Sequence, residues 1–147
     1  MKLLLTEIIK SEYELTGFVE KIKKLLNSNS IILLSGDLAA GKTTFVANFC
    51  KLHKIAMVHS PTYSIHQRYS GAENLTIDHF DLYRLETADE VQASGFYDLL
   101  VTTADYKFIE WPERVPLNDF AMNKSLYKIS IKIKDKDFRQ YDVFTVE

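Results

Sequence analysis

A continuous apolar run that leads directly into a glycine loop constrains this chain more than any other feature. Residues 31–34, Ile-Ile-Leu-Leu, have the composition of a strand buried on both faces. Residues 36–43 follow with the sequence Gly-Asp-Leu-Ala-Ala-Gly-Lys-Thr, which matches the pattern G-x-x-x-x-G-K-[ST], and a helix is predicted from Thr43 to about His53. A strand, a glycine loop and a helix in this order predict a nucleotide-binding protein with an α/β fold.

Each part of this loop has a physical task in binding phosphates. The glycines permit a tight turn, so that backbone N–H groups and the following helix N-terminus can approach an anion. Lys42 is expected to neutralise the β and γ oxygens, and the Thr43 hydroxyl is expected to bind Mg²⁺. No Asn-Lys-x-Asp guanine motif occurs, which favours ATP over GTP. The predicted nucleotide contacts here are Gly36, Asp37, Leu38, Ala39, Ala40, Gly41, Lys42, Thr43 and Thr44.

The rest of the chain predicts one domain over residues 1–147. Ser11 and Thr87 each begin a capping box, so a helix is expected to start at each of them. The other predicted elements are strands at 3–9, 56–58 and 106–109, a hairpin of 63–69 with 75–80, and a hairpin of 127–134 with 138–146. Helical crossovers first and antiparallel strands later indicate a P-loop NTPase-like mixed sheet with a parallel centre, antiparallel hairpins and flanking helices.

Composition limits the classes of protein to which the chain can belong. The net charge of −2 provides no basic field for gripping nucleic acid, so we do not expect this chain to bind RNA on its own. The single cysteine, Cys50, excludes an intrachain disulfide and is expected to be a buried thiol. The N-terminus is charged too early for a signal peptide, and no run approaches the roughly 18 apolar residues of a membrane span. We therefore expect a cytoplasmic protein without membrane contact.

Two acidic residues at predicted strand ends are candidate partners of the metal. P-loop enzymes need a carboxylate near Mg²⁺ and a group that orients the attacking water. Glu110 follows the predicted strand at 106–109, and Asp81 follows residues 77–80. The alternative for either residue is a solvated acid at a strand end. His79, two positions before Asp81, is either a proton carrier or, as is more usual inside an apolar strand, a hydrogen-bonded core residue.

Four motifs together resemble one known family. They are Gly-Asp-Leu-Ala-Ala-Gly-Lys-Thr-Thr-Phe at 36–45, Ser-Pro-Thr-Tyr at 60–63, His-Phe-Asp-Leu-Tyr-Arg at 79–84 and Ile-Glu-Trp-Pro at 109–112. In this order they resemble the TsaE (YjeE) family, the ATPase component of the bacterial machinery for tRNA threonylcarbamoyladenosine. The resemblance covers residues 6 to 134 and is far more specific than the loop alone. It implies an ATP-hydrolysing subunit that acts on threonylcarbamoyl-transferase subunits of the TsaD and TsaB type and contacts tRNA only indirectly.

The resemblance also implies the roles of individual residues. Lys42 would hold the phosphates, and Thr43 and Glu110 would bind Mg²⁺. Asp81 would lie near the γ-phosphate and act on the water or the metal, so the implied catalytic residues are Lys42, Asp81 and Glu110. Ser60 and Thr62 would belong to a switch loop that senses the γ-phosphate, and Trp111 would respond to the nucleotide or to a partner. The implied contacts on the side of the base are Thr6 or Ser11, and Lys132.

One residue departs from the family loop, which usually reads Gly-Asp-Leu-Gly-Ala-Gly-Lys-Thr. This chain has Ala39 at the fourth position. If that position requires a positive φ, alanine costs on the order of 1 kcal/mol there. We expect nucleotide binding to survive, because the side chain is small and the backbone amide remains. If Ala39 impairs the protein, we expect the rate of ATP turnover to be lower.

Two other functions remain open at this point. A small-molecule kinase usually closes an arginine-bearing lid over the phosphate, but only Arg114 and Arg139 follow Glu110 and no lid-like insertion is evident. A non-hydrolysing nucleotide switch is compatible with Ala39, although the presence of both Asp81 and Glu110 favours hydrolysis. No obvious arginine finger follows the switch-like loop, so the isolated protein is expected to hydrolyse ATP slowly.

Overall fold

A mixed sheet organises the computed structural model, which describes residues 1–60, 64–121 and 125–146. The strands of the described residues are β1 (Lys2–Ile9), β2 (Ser30–Ser35), β3 (His66–Ser70), β4 (Thr76–Asp81), β5 (Tyr106–Glu110), β6 (Leu126–Ile133) and β7 (Arg139–Val146). The helices are α1 (Glu12–Leu25), α2 (Lys42–Lys51), α3 (Ala88–Ala93) and α4 (Phe96–Leu100). Short 3₁₀ turns lie at Ala72–Asn74, Pro112–Arg114 and Leu117–Phe120.

The strand order is β1-β7-β6-β2-β5-β4-β3. In the centre, β2 pairs in parallel with both β5 and β6, and β5 pairs in parallel with β4. The pairs β1–β7, β6–β7 and β3–β4 are antiparallel. This arrangement confirms the predicted sheet with a parallel centre and antiparallel hairpins. Because parallel strands end at the same edge, Asp81 at the end of β4 lies directly opposite Glu110 at the end of β5.

Local hydrogen bonds explain where the first and third helices begin. The Ser11 side chain accepts from the backbone N–H of Glu14 at 3.2 Å, and the Glu14 carboxylate accepts from the backbone N–H of Lys10 at 2.7 Å. At α3, the Thr87 side chain accepts from the backbone N–H of Glu90 at 3.1 Å. Both predicted helix starts are confirmed, since each capping residue satisfies an N–H group that has no partner within its helix.

The core lies on both faces of the sheet, and β2 contributes to both halves. Ile32 and Leu34 pack with residues of α1 and α2, whereas Ile31 and Leu33 pack on the other face with residues of α3 and α4. Alternate residues of a strand point to opposite faces, which is why the apolar run of β2 is continuous. Cys50 is fully buried in the first half, and burial raises the pKa of its thiol to about 12. The prediction of a buried thiol is confirmed.

The structure corrects the prediction between α2 and β3. The strand predicted at 56–58 is wrong, because these residues form no strand. Ala56 and Met57 are exposed, and no strand of the described residues pairs with this short apolar run. The helix predicted to reach His53 ends at Lys51, and the chain then turns through Lys54 at a φ of 62°. Tyr63, where the first hairpin was predicted to begin, lies outside the described residues.

Candidate nucleotide-binding site

The two glycines of the loop are needed for different physical reasons. Gly41, directly before α2, has a φ of 113°, in the left-handed region that L side chains rarely adopt. Gly36 is needed for close approach, because a Cβ there would lie 2.8 Å from the carbonyl oxygen of Ile131 and 3.0 Å from the Cβ of Ala40. The loop between β2 and α2 is therefore held at both ends by positions that only glycine fills without strain.

Ala39 has the positive φ at which an alanine was predicted to destabilise the loop. Its φ is 63°, so an alanine occupies a left-handed position within the loop. The next residue is anchored on both sides: the Ala40 N–H donates to the carbonyl of Asp37 at 3.0 Å, and its carbonyl accepts from the Arg139 Nε at 3.0 Å. The guanidinium of Arg139, from β7, therefore braces a strained turn of the loop.

Lys42 is the first residue of α2, and its side chain is almost fully buried. Its ammonium donates to the carbonyl oxygens of Gly36 at 2.6 Å and Asp37 at 2.9 Å, and it lies 4.3 Å from the centre of the Trp111 ring. Burial lowers the pKa of Lys42, while the surrounding carboxylates, led by Glu110, act in the opposite direction. The loop thus holds a poorly hydrated positive charge, which an anion in the adjoining cavity could neutralise.

Trp111 has an unusual backbone conformation directly after Glu110. Its φ of 59° is rare for a bulky residue and turns the chain into the following 3₁₀ segment. This turn places the indole beside Lys42 and 4.9 Å from the ring of Tyr83. Strained residues of this kind cluster at binding sites, where the surrounding structure holds them.

A second group of polar side chains converges on Glu110, which is almost fully buried. The Thr43 hydroxyl lies 2.9 Å and 3.1 Å from its two carboxylate oxygens, and His79 Nε2 lies 2.5 Å from Oε2. A carboxylate only accepts hydrogen bonds, so Thr43 and His79 are the donors. The Ser60 hydroxyl lies 2.5 Å from that of Thr43. Since Thr43 gives its single proton to Glu110, an oxygen lone pair remains for a metal ion.

Asp81 brings a second carboxylate to the same place. Its Oδ1 accepts from the backbone N–H of Tyr83 at 3.0 Å. Burial raises the pKa of Asp81, and the neighbouring charge of Glu110 acts in the same direction. The buried carboxylate of Glu110 and the half-buried carboxylate of Asp81, beside the Thr43 hydroxyl, form a set of hard oxygen donors that fits Mg²⁺. No group of three or more His, Cys, Asp or Glu side chains that could hold a metal alone occurs in the described residues, as is usual for Mg²⁺ held partly by phosphates.

Two cavities flank the loop. One of about 410 Å³ is lined by Lys42, Asp81 and Glu110, the three residues predicted to be catalytic, together with Ser60 and Trp111. The other, of about 460 Å³, lies towards the start of α1. Ala39, Gly41 and Thr44 line both. The loop therefore separates a charged cavity, suited to phosphates and metal, from a second space beside the same backbone.

The predicted contacts on the side of the base fall in different places. Ser11 lines the second cavity, although its hydroxyl caps α1. The structure does not bring Lys132 or Thr6 to either cavity: Lys132 Nζ lies 3.4 Å from a carboxylate oxygen of Asp142, and the Thr6 hydroxyl donates to the same carboxylate at 2.9 Å. Ile131 contacts the loop, and the next residue of a strand points to the opposite face. Thr62, predicted to sense the γ-phosphate, lies outside the described residues.

Sequence reasoning left His79 open between a proton carrier and a core residue, and it gave Arg139 no role at the loop. His79 is fully buried and hydrogen-bonded, as expected of a core histidine, but its partner is Glu110. Its spacing of two from Asp81 on one strand was an available signal, since residues i and i+2 share a face. Arg139 had no comparable signal, because 99 residues separate it from Ala40.

The strand, loop and helix, with acids at the ends of the neighbouring parallel strands, define a P-loop NTPase-like α/β protein. The crystal structure of YdiB from Bacillus subtilis has a similar fold, with a TM-score of 0.69 at 22% identity over 100% of this chain and 89% of that chain. The model of the family described as "Threonylcarbamoyl adenosine biosynthesis protein TsaE" matches residues 9–141, so the chain belongs to the TsaE family.

Individual relatives agree with this assignment. The tRNA threonylcarbamoyladenosine biosynthesis protein TsaE of Aquifex aeolicus is 36% identical over 147 residues, which cover 98% of each chain. The protein of the same name from Rickettsia felis is 31% identical over 94% of this chain and 78% of its own length. That from Haemophilus influenzae is 32% identical over 84% and 83%. None of the helices in the described residues has the length and apolar character needed to cross a membrane.

Proposed function

We propose that this chain binds ATP with Mg²⁺ and hydrolyses ATP as a subunit in the threonylcarbamoyladenosine modification of tRNA. It would act on threonylcarbamoyl-transferase subunits of the TsaD and TsaB type. The observation that carries the proposal is the convergence of Lys42, Thr43, Asp81 and Glu110 on one cavity beside the loop. Membership of the TsaE family connects this site to tRNA modification.

Phosphate binding rests on the loop and on Lys42. The N-terminus of α2 and the loop amides attract the anion, and the buried ammonium neutralises its oxygens. The cavity on the other side of the loop, which Ser11 and Tyr141 help to line, is the place for the nucleoside end. This division follows from the position of the catalytic residues, which all lie in the first cavity.

Thr43 and Glu110 would hold Mg²⁺ at the phosphate end. The Thr43 oxygen has a lone pair for the ion, and the Glu110 carboxylate fixes the direction of that hydroxyl from 2.9 Å. Bound there, Mg²⁺ supplies neutralisation of the charge that develops on the phosphate oxygens.

Asp81 is the residue for orienting the attacking water. The backbone N–H of Tyr83 fixes one of its oxygens, so the carboxylate is aimed before substrate arrives. Burial, reinforced by Glu110, raises the pKa of Asp81 and makes it a stronger base than a surface aspartate. Positioning a water and holding its proton are the two contributions that this residue makes to hydrolysis.

The composition of the phosphate cavity favours hydrolysis that depends on a partner. No arginine is among the described residues that line it. Arg114 lies nearby, but its Nη2 donates to the carbonyl of Tyr83 at 3.0 Å and its guanidinium lies 5.8 Å from the Trp111 ring. An arginine supplied by another subunit raises turnover by about 10³–10⁵ in comparable enzymes. The isolated chain should therefore be slow.

The test is phosphate release by the wild-type chain with and without the threonylcarbamoyl-transferase subunits. Stimulated release of phosphate from ATP supports the proposal. Transfer of phosphate to a metabolite without free phosphate would instead identify a kinase. Nucleotide binding with no turnover, even with the subunits present, would leave only a non-hydrolysing switch.

A further inference from the structure

A pair of buried polar side chains lies beside Glu110 but does not line the phosphate cavity. His79, on β4, is fully buried, and its Nε2 donates to Glu110 at 2.5 Å. Its Nδ1 lies 3.1 Å from the hydroxyl of Tyr69 on β3, a side chain that is 6% exposed. The imidazole therefore connects the carboxylate to a tyrosine on the neighbouring strand.

The tyrosine connects onward to a segment of the phosphate site. Its hydroxyl also lies 3.2 Å from the carbonyl oxygen of His59, and burial raises the pKa of Tyr69 to about 12, so the hydroxyl keeps its single proton, which is shared between this carbonyl and His79 Nδ1. The next residue, Ser60, contacts the Thr43 hydroxyl, which donates to Glu110. These contacts close a ring that runs from Glu110 through His79, Tyr69, the His59–Ser60 backbone and Thr43, and back to Glu110.

Packing alone does not account for this ring. Tyr69 belongs to the hydrophobic cluster that includes α1 and α2, and its ring contacts that of His79. An apolar pair of similar volume would fill this space without polar groups to satisfy. A buried polar network is stabilising only when its members are paired, and in exchange it fixes their orientations. In this protein, the orientation that the network fixes is that of Glu110.

We propose that Tyr69 and His79 are positioning residues that tie the orientation of the Glu110 carboxylate to the position of the His59–Ser60 backbone. This inference rests on the proposed function, because it assigns Glu110 to the metal end of the phosphate site. A displacement of His59–Ser60 changes the site by two routes. Ser60 contacts the Thr43 hydroxyl directly. The carbonyl of His59 acts on Glu110 through Tyr69 and His79. The arrangement needed for turnover thus depends on where this segment lies.

Substitutions that remove one contact at a time test the pair. Tyr69→Phe removes the hydroxyl, His79→Leu removes both imidazole contacts, and His79→Gln keeps an N–H donor for Glu110. The matched control is Tyr127→Phe, because Tyr127 is also 6% exposed and its hydroxyl donates to a backbone carbonyl, that of Leu25, at 3.3 Å. Circular dichroism verifies that each variant is folded.

The first readout separates kcat from KM for ATP in the presence of the transferase subunits. A hydrogen bond that orients a reacting group contributes about 3- to 10-fold in rate, so Tyr69→Phe should lower kcat by that factor with KM unchanged. His79→Leu should lower kcat by more than Tyr69→Phe, and His79→Gln should recover part of the loss. Tyr127→Phe should have the wild-type kcat.

The second readout does not require turnover. Trp111 is the only tryptophan of the chain and lies beside Lys42, so its fluorescence reports nucleotide binding with and without Mg²⁺. The gain in ATP affinity that Mg²⁺ produces should be several-fold smaller in His79→Leu than in the wild type, with the affinity in EDTA unchanged.

If the wild-type chain binds ATP but releases no phosphate, the proposed function fails, and this readout still decides the role of the pair. Wild-type magnesium dependence in His79→Leu, or a wild-type kcat in both Tyr69→Phe and His79→Leu, would overturn the inference.

Discussion

The hydroxyl of Thr43 lies 2.9 Å from one carboxylate oxygen of Glu110, although 67 residues separate the two in the sequence. Thr43 is in the first turn of α2, and Glu110 is the last residue of β5. The parallel pairing of β2 with β5 brings Leu34 opposite Glu110, so the end of one strand and the helix that follows the other meet at one edge. The fold, rather than the local sequence, builds this pair.

Thr43→Val should weaken the binding of Mg²⁺ without weakening the binding of ATP itself. Valine has nearly the same shape, but it lacks the hydroxyl that donates to Glu110 and would bind the ion. We expect ATP affinity in EDTA to be unchanged and the Mg²⁺-dependent gain in affinity to fall about tenfold, which is about 1.4 kcal/mol. Thr43→Ser is the control and should keep most of the gain. Trp111 fluorescence measures both affinities, and an unchanged gain in Thr43→Val would contradict the assignment of Thr43.

Ala39→Gly should stabilise the protein. An alanine at a φ of 63° costs about 1–2 kcal/mol, and the greater freedom of glycine in the unfolded chain offsets about 0.4–1 kcal/mol of the relief. The net expectation is a free energy of unfolding higher by roughly 0.5–1 kcal/mol. Urea unfolding measures it.

The control for Ala39→Gly is the neighbouring residue. Ala40 is fully buried and is not among the residues with a positive φ, so Ala40→Gly should destabilise by about 1–2 kcal/mol. Equal destabilisation in the two variants would show that the conformation of Ala39 carries no strain.

Local signals in the sequence predicted the elements that depend on near neighbours. At the helix starts, the Ser11 and Thr87 side chains bond backbone N–H groups three residues away, and the glycine loop is recognised by its own pattern of residues. The short helix α4 was missed, because it follows Gly95, which has a φ of 83° and no side chain to cap the helix. The strand predicted at 56–58 failed for a related reason: apolar composition alone does not supply a pairing partner.

Contacts between distant segments could not be predicted from local sequence patterns. The position of β7 between β1 and β6 determines which side chains reach the loop, and no spacing in the sequence specifies it. It brings Arg139 to Ala40 and leaves Lys132 beside Asp142. The contact of His79 with Glu110 likewise requires the parallel register of β4 with β5, which a single strand does not reveal.

Asp78 should make stability depend on pH in the acid range. This fully buried residue accepts from Arg68 Nε at 2.8 Å and contacts His66 Nε2 at 2.8 Å. Burial alone would raise the pKa of Asp78, but the hydrogen bonds to His66 and Arg68 outweigh it and lower the pKa to about 2. Because the folded pKa lies below the unfolded one, the stabilisation is present above about pH 4 and is lost as the pH falls towards 2.

Asp78→Asn measures this contribution. The variant should unfold with a free energy lower by about 2 kcal/mol at neutral pH, and the difference from the wild type should shrink as the pH falls from about 4 to about 2. Asp137→Asn, at an exposed position between β6 and β7, should match the wild type throughout. Urea unfolding at several pH values checks both variants, and a pH-independent loss in Asp78→Asn would point to packing instead of charge.

Glu110→Gln tests the central claim, hydrolysis of ATP at this site, most directly. The amide keeps the shape of the side chain, and its oxygen can still accept a hydrogen bond from Thr43 or His79. The fold and ATP binding should therefore survive. The measurement is steady-state phosphate release at saturating ATP and Mg²⁺ with the transferase subunits present, for the wild type and the variant side by side. We predict stimulated release by the wild type and a loss of at least about 100-fold in the variant, with its ATP affinity in EDTA within about twofold of the wild type. Wild-type phosphate release by Glu110→Gln would contradict the assignment of this site as the centre of hydrolysis.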